Sequence, residues 1–141
     1  RYHACLMRTI LIGTPSSRQV EMHAACVDAL EASRKEVYPG STMGAVFDAH
    51  AQAMDAAGFR KHRLNACGYS LGATFTPTWM DYPMFFHRNL EPIESGMVLF
   101  LHMILMNSDE ALAMTLGETV QVSEEGSNRL SRYNTNLIVC A

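Results

Sequence analysis

Apolar positions along this chain change their period several times, and each change predicts an element. Residues 2–12 alternate imperfectly between apolar and polar and end in Thr9-Ile10-Leu11-Ile12. A period near two followed by Gly13-Thr14-Pro15 predicts a strand and then a turn. Over residues 18–37 the apolar side chains Val20, Ala24, Val27, Leu30 and Ala32 recur three and four apart, the spacing of an amphipathic helix. Ser16 or Ser17 is suited to cap it, and Pro39-Gly40 to end it. A second helix is predicted over residues 43–57, capped by Ser41 or Thr42, with Val46, Phe47, His50, Met54 and Ala57 on one face and Gly58 as its C-terminal stop.

Residues 64–76 read as a glycine-containing strand or loop pair. Residues 77–92 hold Pro77, Pro83 and Pro92 together with Trp79, Tyr82, Phe85, Phe86 and His87. That predicts a long irregular aromatic segment, a candidate substrate wall. Three strands are then expected over residues 97–106, 111–115 and 118–123, with turns at Asn107-Ser108-Asp109 and Glu124-Glu125-Gly126. Two helices followed by several strands predict an α+β fold, with helices packed on one face of a curved antiparallel sheet.

The 141 residues suffice for one domain with a real core, and a 48% hydrophobic, 18% charged composition is that of a globular chain. A net charge of -3 gives no reason to expect nucleic acid or an anionic membrane as partner. No apolar run approaches the roughly 20 residues that span a bilayer. The longest, 97–106, is interrupted by His102 and reads as a buried strand. Cys5, Cys26, Cys67 and Cys140 show no C-x-x-C or zinc-finger rhythm, so four reduced, mostly buried thiols in a cytoplasmic protein are expected. Met97, Met103, Met106 and Met114 are expected to fill core space.

Four strings carry the candidate chemistry: Arg1-Tyr2-His3-Ala4-Cys5-Leu6-Met7-Arg8-Thr9, Gly68-Tyr69-Ser70-Leu71-Gly72, Gly96-Met97-Val98-Leu99-Phe100-Leu101-His102 and Leu116-Gly117-Glu118-Thr119-Val120. In this order they resemble the C-terminal part of the creatinase, aminopeptidase P and ectoine hydrolase group, whose catalytic domain has the "pita-bread" fold. The resemblance covers nearly the whole chain and is nearest to ectoine hydrolase-like sequences, which also carry an Arg-Tyr-His run. It implies that 141 residues make up the C-terminal portion of a catalytic domain whose N-terminal part lies elsewhere in a longer polypeptide.

The resemblance also locates what has changed. Metal-binding relatives place an aspartate two residues before the Arg-Thr pair, because a hard divalent ion takes carboxylate oxygens; Cys5, Leu6 and Met7 stand before Arg8-Thr9 here. Creatinase-like sequences have a glutamate directly before the Arg, where this chain has Met7, which speaks against creatine. The family's Gly-His motif becomes Gly68-Tyr69, its strand-ending glutamate becomes His102, and its metal-bridging glutamate becomes Gly117. A phenol is a poor metal ligand at neutral pH but a good hydrogen-bond donor.

These substitutions imply catalytic roles for His3, Tyr69 and His102. Each has a plainer alternative: a strand-end histidine, a core tyrosine in a tight turn, a satisfied core histidine. Tyr2, Trp79 and Asp81 are the substrate-binding candidates. Trp79 would offer its face to a cation and Asp81 its charge, with core packing as the alternative for Trp79. Glu118 reads as a surface carboxylate or one supporting the site from behind. The expected protein is a metal-independent, cofactor-free hydrolase opening a C–N bond in a small zwitterionic or amidine-like compound, active as a homodimer. Two alternatives stand beside it. One is an Xaa-Pro peptidase whose divalent metal site is rebuilt around His3 and His102. The other is an inactive homologue that binds a ligand or partner.

Overall fold

The computed structural model describes residues 2–75 and 77–141; Arg1, which opens the first string, and Thr76, which closes the 64–76 segment, lie outside the described residues. Elements run β1 (Met7–Arg8), β2 (Ile10–Ile12), α1 (Ser17–Lys35), α2 (Met43–Ala56), β3 (Gly68–Ser70), β4 (Asp81–Met84), β5 (Val98–Asn107), β6 (Leu112–Ser123), β7 (Gly126–Arg129) and β8 (Ile138–Cys140). The main sheet has the order β1-β6-β5-β3-β4, with β7 also on β6, and its pairings are antiparallel. A separate parallel pair joins β2 to β8. The α+β class is as the pattern predicts.

Both helices start where their caps predict. Ser16 accepts from the Gln19 N–H while the Gln19 side chain accepts from the Ser16 N–H, a reciprocal box that satisfies two otherwise orphaned donors. Thr42 accepts from the Ala45 N–H to start α2. The buried stripe of α1 is Met22, Ala25, Cys26, Ala29, Leu30 and Ser33; of the predicted face Leu30 is buried and Val27 packs against the core, whereas Ala24 is exposed and Val20 is 51% exposed. The helix carries alanines on several sides, so periodicity alone did not select a stripe, and packing against β5 and β6 did. On α2 the face Val46, Phe47, His50 and Met54 is buried as predicted, but Ala57 is exposed.

Leu99, Leu101, Met103 and Leu105 of β5 and Met114, Leu116, Val120 and Val122 of β6 join the helices in one core. Met103 and Met114 fill it as expected, whereas Met106 is 53% exposed at the hairpin end. Cys26 and Cys67 are buried free thiols, Cys5 is half-buried and Cys140 exposed, so burial of most of them does not hold.

Two predicted boundaries move. The two strands expected over 111–115 and 118–123 form one continuous strand, β6, paired residue by residue with β5 from Asn107↔Leu112 to Val98↔Gln121. Gly117 does not interrupt this ladder. The segment 77–92 is not wholly irregular, because β4 lies within it and pairs with β3. At the other end, only the last part of residues 2–12 is strand.

Candidate functional site

Alternation along β5 sends Val98, Phe100 and His102 to the face away from the helices. Register then builds rows across that face. Tyr69 of β3 lies opposite Phe100, and Phe100 opposite Thr119 of β6. In the next row His102 lies opposite Gly117, and Gly117 opposite Met7 of β1. The strings far apart in sequence thus meet at one place.

The rings of Tyr69, Phe100 and His102 form a triangle. Centroids lie 5.5 Å apart for Tyr69–Phe100 and 5.8 Å for each pair involving His102. Phe100 also decides the residue beneath it: a Cβ on Gly117 would lie 2.7 Å from its Cζ and 3.0 Å from the Leu101 carbonyl oxygen. No longer side chain fits at 117 while this ring is in place. With Leu71, Cys5, Met7, Met84 and Val98, the cluster is a small second core.

Of the predicted catalytic residues, Tyr69 and His102 are therefore adjacent. Burial lowers the His102 pKa, so its imidazole is neutral at pH 7, and its Nδ1 is buried without a partner. Burial raises the Tyr69 pKa, opposed by the bond from Trp79 and reinforced by neighbouring Cys5, so its phenol stays protonated. Trp79 Nε1–H donates to Tyr69 Oη at 3.3 Å, leaving the phenol's own proton to donate elsewhere. Trp79 is 57% exposed, so core packing is not its role.

His3 and Tyr2 are not in the ring cluster. They line a neighbouring groove of about 640 Å³ with Cys5, Thr119 and the 130–133 segment. The His3 N–H donates to the Gly72 carbonyl at 3.0 Å and its ring packs edge-on against Phe75 at 4.6 Å. The Asp81 carboxylate lies directly against Gly72, where any Cβ would strike it, and Gly72 is the residue whose carbonyl holds the His3 N–H. Glu118 is not at the surface. It is fully buried and paired with Arg8 and Arg129.

The sequence profile of metallopeptidase family M24 matches residues 1–124. The chain belongs to this family. It is 30% identical over 140 residues to the ectoine hydrolase of Halomonas elongata, covering 99% of this chain and 34% of the relative. Among solved structures, dipeptidase PepE from Mycobacterium ulcerans superposes with a TM-score of 0.89 at 22% identity, covering 98% of this chain and 36% of that one. X-Pro aminopeptidase from Thermotoga maritima gives 0.89 at 20% identity, with 98% and 38% covered. These structural likenesses establish the pita-bread fold, of which this chain is like the C-terminal part. The chain spans about a third of the length of the relatives it matches.

The M24 name implies a metal, and the residues present do not fit one. Among the described residues no three His, Cys, Asp or Glu side chains come together as a ligand set. Where M24 metal sites need several carboxylate oxygens, this face offers the Cys5 thiol, the Met7 thioether, the Tyr69 phenol, the His102 imidazole and a glycine, with no carboxylate among them. Phe100 escaped the sequence reading. Its signal was its place two residues before His102, which puts both on one face of a strand.

Proposed function

We propose that this chain is the C-terminal catalytic portion of a metal-independent, cofactor-free M24 hydrolase that opens a C–N bond in a small zwitterionic or amidine-like compound. The observation that carries the reading is the pairing of Phe100 with Gly117. A ring occupies the space that a bridging glutamate would need, in a chain 30% identical to an ectoine hydrolase. Without a Lewis acid, proton transfer and charge stabilisation fall to side chains. Neutral His102 accepts a proton at its unpartnered Nδ1, Tyr69 donates to a developing oxyanion, and His3 serves as a second base or donor from the groove side. Trp79 presents its exposed ring to the cationic part, Asp81 balances that charge, and Tyr2 closes the outer wall. We further propose a homodimer that carries the preceding half of the domain on the same polypeptide and resides in the cytoplasm.

The experiment is elemental mass spectrometry on the longest purified form, paired with turnover assays on ectoine and on prolyl dipeptides. Ectoine turnover with less than about a tenth of an equivalent of manganese, iron, cobalt or zinc supports the reading. One or two tightly held equivalents with dipeptide cleavage would replace it with the peptidase reading. Ligand binding without turnover would leave a binding homologue.

A further inference from the structure

The groove beside the ring cluster has a charge pattern that the catalytic reading leaves unused. Its walls are largely apolar, with Leu6, Val98 and Leu130 among them, and they include no carboxylate. Arg132 is the one permanently charged residue on them. Among the described residues it forms no ion pair with an acidic side chain.

Arg132 sits on a segment that the fold holds down. Glu118, fully buried in β6, pairs with both Arg8 and Arg129. Those two guanidiniums then donate to the Tyr133 carbonyl at 3.3 and 2.8 Å, and Arg8 Nε donates to the Asn134 carbonyl at 2.9 Å. On the other side, the Leu130 N–H donates to the Thr119 carbonyl at 3.0 Å. The backbone is therefore anchored immediately before and after Arg132. Two arginines against one carboxylate also leave one net positive charge behind the loop, which adds to the attraction for an anion.

We propose that this groove binds a small carboxylate, its apolar body against Leu6, Val98 and Leu130 and its carboxylate paired with Arg132. A guanidinium fork matches the two oxygens of a carboxylate, and a pinned loop loses little freedom when it engages them. The inference deepens the proposed function and rests on it for the remainder of the ligand. In a zwitterionic substrate the cationic part extends past Gly72 toward Asp81 and Trp79.

The test titrates cyclohexanecarboxylate and its neutral carboxamide against the longest purified form. Ligand-detected and protein-detected NMR read the binding, with His3→Gln titrated alongside so that any charge from the His3 ring is removed. The acid is expected to bind at least about tenfold more tightly than the amide, and more weakly as salt rises. Arg132→Gln should abolish that preference and Arg132→Lys should keep part of it. Equal affinities in the wild type, no binding of either compound, or a preference that survives Arg132→Gln overturns the proposal. Ectoine turnover is measured on the same preparations. Arg132-dependent acid binding without turnover sinks the hydrolase reading and leaves the groove. Turnover without acid preference sinks the groove and leaves the hydrolase.

Discussion

The ring cluster and the groove lie side by side on the helix-free face, yet they are built in opposite ways. In the cluster, Phe100 and Tyr69 are 3% and 6% exposed and close over a glycine, so this part of the face is packed aromatic surface. In the groove, the walls stay open, and a buried charge network holds the backbone next to Arg132, which lines it. The contrast teaches that a face without carboxylates at its centre need not hold a void there. A protein interior fills the volume with whatever packs. The open space then lies beside the cluster, where packing is incomplete.

The largest expected effect tests whether the groove's rim depends on the network beneath it. Glu118→Ala leaves Arg8 and Arg129 facing each other without their carboxylate, and Arg8 has only 8% side-chain exposure. Loss of one partner of a buried pair should cost about 3–5 kcal/mol, read by urea denaturation. A cost below about 1 kcal/mol would mean that the 130–134 segment is held some other way.

Acid should separate the two faces of the sheet. His50, on α2 and 1% exposed, has its pKa pushed down to about 4 by burial, then by Arg63 and His102. His102 and His23 are shifted in the same direction, burial again the main cause. A depressed histidine leaves the unfolded chain binding more protons than the folded one between the two pKa values. Stability is therefore full above about pH 6.5 and falls as pH drops towards 4, by roughly 3 kcal/mol for His50 alone. His50→Gln should flatten most of that slope in chemical denaturation followed against pH, and His102→Gln less of it. The reverse order would show that the ring cluster, not the helix side, carries the acid sensitivity.

Gly117→Ala tests the packed cluster directly. Its Cβ would meet Phe100 Cζ at 2.7 Å, and overpacking of this kind costs about 1–3 kcal/mol. The double variant with Phe100→Leu should recover part of the loss, measured as a thermodynamic cycle. If Gly117→Ala is neutral, the ring is not the obstacle. The smallest effect belongs to Trp79→Phe, which removes the donor to Tyr69 from an exposed ring. Stability should change by less than about 1 kcal/mol, while the KM for a cationic substrate rises and kcat changes little. A fall in kcat alone would make Trp79 a positioning residue for Tyr69.

Much of the frame was legible. Ser16 and Thr42 announced their helices because a capping side chain acts within three residues. The apolar run 97–106 announced β5 because such a run, with its bounding turns, is local as well. The α1 stripe was read only in part, Val27 and Leu30 rightly and Val20 and Ala24 not, because alanines on several sides leave the period ambiguous, and only contact with β5 and β6 resolves it. At the site, the replaced positions Met7, Tyr69, His102 and Gly117 could be named from their strings. Phe100 and Arg132 could not, since neither sits at a position that a motif marks.

The sequence by itself determined the family, the helix starts and the long strand β5, because each of these is written in neighbouring residues. Tertiary structure alone decided that Tyr69 and His102 share a ring cluster while His3 faces a separate groove. It also decided that Glu118 is buried between two arginines rather than exposed, and that the Arg132 loop is anchored. These depend on strand register and on contacts across more than a hundred residues. No local pattern encodes such pairings; they follow from which surfaces pack together once the whole chain has folded.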